Sequence, residues 1–179
     1  YLEIYQPALL PHLAPADSPM LHAAKMIKEY FPQYKNHGIA VISPCIAKRR
    51  EFDEVKIGKF NVTLKAIIEH MEESGVRVSG FPEVDFANPL PERAVLFSTP
   101  GGLKETVIRE HPEYIEGIRK IEGPEIVYDY LEKLPEMVSR QLNPLLVDCL
   151  NCDLGCNGGP GTTNRDKSPD EVEHYVRMR

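Results

Sequence analysis

The sequence predicts an α/β fold of two small lobes, each of mostly parallel sheet flanked by helices. Short apolar runs, the β-branched "GIAVIS" (38–43) with "KFNVT" (59–63), "RAVLFS" (93–98) and "NPLLVDC" (143–149), each read as a strand. Between them lie longer stretches with apolar residues at helical spacing and with start signals at their heads, and such alternation implies parallel pairing through crossover helices. A third observation divides the lobes: "GFPEVDFANPLPE" (80–92) carries Pro82, Pro89 and Pro91 and reads as an irregular seam.

The elements follow in order. "YLEIYQPALL" (1–10) reads as an amphipathic helix already under way, with no initiator methionine, so the expectation is a fragment of a longer chain. "DSPMLHAAKMIKEYF" (17–31) has Asp17 or Ser18 to cap it, Pro19 at the first helical position, and Leu21, Ala24, Met26 and Ile27 along one side. "LKAIIEHMEESG" (64–75) is a helix stopped by glycine. The 93–98 run breaks at Pro100, Gly101 and Gly102, and "LKETVIREH" continues as a helix. "YIEGIRKIEG" (114–123) is a strand, "PEIVYDYLEKL" (124–134) a helix opened by Pro124, and "SPDEVEHYVRM" (168–178) a last helix capped by Ser168. No internal repeat is present, and residues 1–179 read as one domain fragment with its seam near 80–92.

Composition narrows the function. The 179 residues are 42% hydrophobic, enough for an ordinary core, and carry a net charge of −6. Basic residues are scattered among more numerous acids, so no cationic face for nucleic acid is expected. No apolar run approaches the roughly 20 residues of a membrane span, and no secretory signal is present; the expectation is a cytoplasmic protein without a membrane partner.

The chemistry is concentrated in cysteine. "DCLNCDLGCNGGPG" (148–161) holds Cys149, Cys152 and Cys156 among glycines, and Cys45 stands alone after a strand in "AVISPCIAK". The cysteine density is too low for a disulfide scaffold, which leaves metal or redox use. Gly155, Gly158, Gly159 and Gly161 allow a loop to turn repeatedly and bring its backbone close to an inorganic core. Four-cysteine zinc sites usually join two C-x2-C units, whereas here C-x2-C-x3-C is joined by one remote cysteine, a pattern closer to iron–sulfur ligation. Zinc, dithiol redox chemistry and no ligand role at all remain open on spacing alone. Cys45 by itself reads equally well as a small buried hydrophobe. The carboxyl ends of parallel strands are where α/β folds gather ligands, so all four cysteines are expected at one iron–sulfur site between the lobes.

These motifs resemble a known family. "SPCIAKRREF" carries P-C-x-x-K-x-x-E as Pro44, Cys45, Lys48 and Glu51, and "CDLGCNGG" carries C-x-x-G-C followed by glycines. In this order they resemble the second and third motifs of the C-terminal domain of the iron-only (FeFe) hydrogenase large chain. "TPGGLKETVIRE", with Gly101 and Gly102, is similar to that family's G-G-x-x-E segment, and the first twenty residues are similar to the stretch after its first motif. The resemblance covers residues 1 to about 160. It implies a 4Fe-4S cluster bridged by a cysteine to a two-iron subsite that makes or oxidises dihydrogen. By that resemblance Cys45 and Cys152 are cubane ligands, Cys156 is the bridging thiolate, Lys48 faces the two-iron subsite, and Glu51 anchors the site from outside. A solvated lysine beside Arg49 and Arg50, and an ordinary surface carboxylate, are the plain alternatives for the last two.

The departures bear on activity. The family's T-S-C-C-P-x-W motif, which supplies a further cubane ligand and a proton-relay cysteine, does not occur, and truncation is the expected reason. Ser43 and Leu150 stand where a methionine usually precedes each matched cysteine by two residues, "GGPGTTN" replaces a glycine run ending in Gln-Pro, and Cys149 is an added thiol. The expectation is therefore a 4Fe-4S domain, lost on aerobic preparation, without the two-iron subsite. Its role would be redox sensing or electron transfer beside a ferredoxin-like, sensor or signalling module of the parent chain. The other readings are the catalytic domain of a true hydrogenase seen as an inactive fragment, and a zinc-stapled structural domain. The fragment supplies four thiolates in all, so Cys149 is expected to complete the cubane set with Cys45, Cys152 and Cys156.

Overall fold

A computed structural model describes residues 1–85 and 92–178. In chain order the regular elements are α1 (Leu2–Tyr5), α2 (Pro19–Tyr30), β1 (Ala40–Ser43), α3 (Lys48–Val55), β2 (Phe60–Thr63) and α4 (Leu64–Glu73). They continue as α5 (Gly102–Glu110), β3 (Ile118–Glu122), α6 (Pro124–Ser139), β4 (Leu146–Leu150) and α7 (Pro169–Arg177), with short 3₁₀ segments between. The architecture is mixed α/β, with two small parallel sheets flanked by helices, as the alternation of runs predicts. Strand β1 pairs with β2 from Ala40↔Phe60 to Ser43↔Thr63, and β3 pairs with β4 from Ile118↔Leu146 to Glu122↔Leu150. Each pair is joined by a crossover that carries a helix, α3 in one case and α6 in the other, as parallel strands require.

The chain divides into two compact units. One comprises Tyr1–Leu13, Glu83–Gly159 and Asn164–Arg179, the other Ala14–Pro82 and Pro160–Thr163. Part of the predicted seam, 86–91, lies outside the described residues. In the first unit Leu9, Ile118, Ile121, Val127 and Val172 are buried, and β3 packs against α6. In the second, Leu21 and Ala24 of α2 and Phe52 of α3 are buried. The Phe52 ring lies on bare backbone at Gly58, where a Cβ would come within 2.3 Å of it.

Local signals hold at the helix starts. Ser18, not Asp17, caps α2 by accepting the Leu21 N–H, while Asp17 pairs with Lys25. Ser168 accepts the Glu171 N–H at 3.2 Å and opens α7 behind Pro169. The helix from Pro124 runs beyond the predicted 134 to Ser139 and carries Pro135 within it. The first helix is only four residues long and gives way at Pro7 to a 3₁₀ turn.

Two predicted strands differ. The 93–98 run lies in a 3₁₀ segment, Glu92–Ser98, because the chain doubles back at once: Thr99 N–H bonds Leu96 O and Gly102 N–H bonds Thr99 O. With the run coiled on itself, its backbone groups are not offered to a neighbouring strand. The 114–123 run is a strand only from Ile118, its first part being a 3₁₀ turn opened by Pro112. A helix not predicted, α3, forms over the charged stretch after Cys45, where Arg49–Asp53 and Arg50–Glu54 pair at four-residue spacing.

Candidate metal centre

Cys149 belongs to β4, in register with Ile121, and keeps an exposed surface. Burial of its sulfur, with the charge of Asp148 adding to it, raises the thiol above its ordinary pKa. A proton must therefore leave before this sulfur can ligate a metal. Its neighbour Asp148 is 4% exposed, and Oδ2 accepts the backbone N–H of Lys104 at 3.0 Å. That bond caps α5 and ties the turn "TPGG" (99–102) to the cysteine strand.

Past β4 the chain turns tightly. The Gly155 N–H bonds Cys152 O at 3.0 Å, and Leu154 and Gly155 both adopt left-handed φ, 60° and 64°. Gly155 is irreplaceable on two counts, because a Cβ there would also stand 2.5 Å from Ser98 O. Cys156 follows in the 3₁₀ turn Gly155–Gly158, whose end is closed by Gly159 N–H on Cys156 O at 3.0 Å. Asn157 Nδ2 donates to Thr99 Oγ1 at 3.1 Å, a second tie to the 99–102 turn. In that turn Gly102 allows the closest approach of all, its would-be Cβ lying 1.8 Å from Leu96 O, while Gly101 is left-handed at φ 88°. Cys152 and Cys156 are both half-buried, and neither is in a disulfide.

Cys45, in the other unit, follows β1 and is also half-buried and free. Its carbonyl accepts from Asn61 Nδ2 at 2.8 Å, and its N–H reaches Ser43 Oγ at 3.3 Å. Lys48 pairs with Glu51, whose other carboxylate oxygen meets the hydroxyl of Ser18, the α2 cap. Glu51 thus joins the head of α3 to the head of α2. Gly161 sits against the Cys45 turn, with its N–H on Pro44 O at 3.1 Å and its carbonyl accepting from Lys65 N–H at 2.9 Å.

The donor set suits a thiolate-ligated iron–sulfur cluster in kind: soft sulfur ligands on glycine-bearing turns, none committed to a disulfide. Among the described residues no three Cys, His, Asp or Glu side chains already converge on a common centre. Sequence reasoning missed Ser43, Asn61 and Asp148 as partners of the cysteine turns. The signal for Asp148 was present, since a carboxylate inside an apolar strand run needs a partner.

Parallel strand pairs with cysteines at or just beyond their carboxyl ends define an α/β protein with thiol-bearing turns. The chain belongs to the family of the iron only hydrogenase large subunit, C-terminal domain, which it matches over residues 1–160. Among curated proteins none matches it. Among the described residues no helix is long and apolar enough to cross a membrane.

Proposed function

We propose that this domain binds a single 4Fe-4S cluster through Cys45, Cys149, Cys152 and Cys156 and serves redox sensing or electron transfer within a larger cytoplasmic protein. The observation that carries the reading is the family match over 1–160 together with cysteines at the positions of that family's second and third motifs. The cluster would supply reversible one-electron transfer. The chain's own part is to present four thiolates, to keep water partly away from the half-buried sulfurs, and to hold the carrying turns by backbone hydrogen bonds.

Against hydrogen turnover stand Ser43 and Leu150 at the usual methionine positions, and Lys48, the residue that would face a two-iron subsite, is held by Glu51 instead. A ferredoxin-like, sensor or signalling module is the fitting partner. Anaerobic reconstitution with iron and sulfide, followed by metal and acid-labile sulfide analysis and EPR after reduction, tests the reading. The expected result is about four irons per chain and a cubane signal, with no carbonyl or cyanide infrared bands. Such bands would establish a two-iron subsite and overturn the non-catalytic reading; zinc bound in place of iron would overturn both.

A further inference from the structure

The turn that carries Cys45 is closed by a ring of hydrogen bonds in which every donor finds one acceptor. Ser43 Oγ lies 2.8 Å from Asn61 Oδ1 and 3.0 Å from Cys45 O, but it has one proton to give. Cys45 O already accepts from Asn61 Nδ2 at 2.8 Å, so the hydroxyl proton belongs to Asn61 Oδ1, which otherwise lacks a donor in the ring. Cys45 N–H then points at Ser43 Oγ, 3.3 Å away. The circuit runs Cys45 N–H to Ser43, Ser43 O–H to Asn61, Asn61 N–H to Cys45 O. It also fixes which way the Asn61 amide faces.

The ring grips both backbone polar groups of one residue, and that residue is a candidate ligand. Ser43 is 7% exposed and Asn61 half-buried, so competing water is largely excluded. Pro44, between Ser43 and Cys45, has its own φ fixed by its ring and gives its carbonyl to the Gly161 N–H. We propose that Ser43 and Asn61 are positioning residues for Cys45, holding its peptide so that the thiol direction is set before metal arrives. The inference rests on the reading of Cys45 as a ligand. It assigns a use to Ser43, which stands where the family resemblance expects a methionine.

The test compares Ser43→Thr, which keeps the hydroxyl, with Ser43→Val, which has the same shape without it, and adds Asn61→Leu. Two readouts are taken on the full chain: hydrogen exchange of the Cys45 amide without metal, and the rate of anaerobic cluster assembly. In Ser43→Val and Asn61→Leu the amide should exchange about five- to tenfold faster, the factor matching the net worth of one hydrogen bond, and assembly should slow by a similar factor. Ser43→Thr should restore both. Unchanged exchange in Ser43→Val overturns the ring; faster exchange with unchanged assembly overturns the positioning role. Failure of the unmodified chain to assemble any cluster would sink the iron–sulfur reading and the ligand role of Cys45 together, which the exchange data by themselves cannot do.

Discussion

Asp148 Oδ2 accepts the backbone N–H of Lys104 at 3.0 Å, so the residue just before the first cysteine of the 149–156 group caps a helix 44 positions away in sequence. The carboxylate is buried, and the N–H it satisfies is one of the orphan donors at the start of α5. Asp148→Ala should therefore leave a buried donor without a partner and cost about 1–3 kcal/mol in urea unfolding. Asp148→Asn retains a side-chain carbonyl acceptor and should cost clearly less; equal losses in the two variants would mean the bond is not what the position contributes.

The glycine turns permit a controlled comparison. Gly75 and Gly155 are both left-handed, at φ 68° and 64°, but a Cβ meets nothing within 4 Å at Gly75 and stands 2.5 Å from Ser98 O at Gly155. Gly75→Ala should cost only the conformational penalty, about 1–2 kcal/mol. Gly155→Ala carries that penalty plus a backbone collision, and its unfolding midpoint should fall further. Matching midpoints would refute the close approach to Ser98.

Cys149 gives the stability a pH dependence. Its folded pKa is raised by burial and by Asp148, so the unfolded thiol, with a pKa of about 8.5, ionises first. The contribution is present in full below that value and declines as pH rises through the thiol range, until the folded thiol ionises as well. Unfolding of the metal-free chain measured from about pH 7 to about pH 10, the range that brackets the thiol, should become easier with pH, and Cys149→Ser should flatten the trend. An identical slope in the variant would place the titration elsewhere.

Cys149→Ser also tests ligation. After anaerobic reconstitution the variant should lose about one iron or the whole cluster, read by iron count and EPR. Undiminished loading with an unchanged spectrum would make Cys149 a bystander of β4.

Ser18 does two jobs in one position, capping α2 and meeting the Glu51 carboxylate. Ser18→Ala should cost about 1 kcal/mol or more, since loss of an N-cap alone has that size. Glu51→Gln, which leaves the cap in place but releases Lys48 from its ion pair, should cost less. Thermal unfolding of the two variants decides the order.

The features legible from the residues alone are local ones. The order and spacing of Cys45, Cys152 and Cys156, with Lys48 and Glu51 after the first, carried the family, because each motif is complete within a few residues, Cys45 to Glu51 in one and Cys152 to Cys156 in the other. Ser168 and Pro169 announced the start of α7 for the same reason: a cap bonds an N–H three residues on. The short apolar runs at 40–43, 60–63 and 146–150 announced strands, and their alternation with helices announced parallel pairing. The tertiary structure decided what depends on partners far along the chain. The 93–98 run has strand composition but coils into a 3₁₀ turn, its carbonyl at Leu96 packed where only a glycine at 102 could stand. Asp148 finds Lys104, and Ser43 finds Asn61 across the β1–β2 register, through contacts that no window of sequence contains. A buried polar group must be satisfied by whatever backbone or side chain the fold brings to it, so the demand is written in the residue and the answer only in the packing.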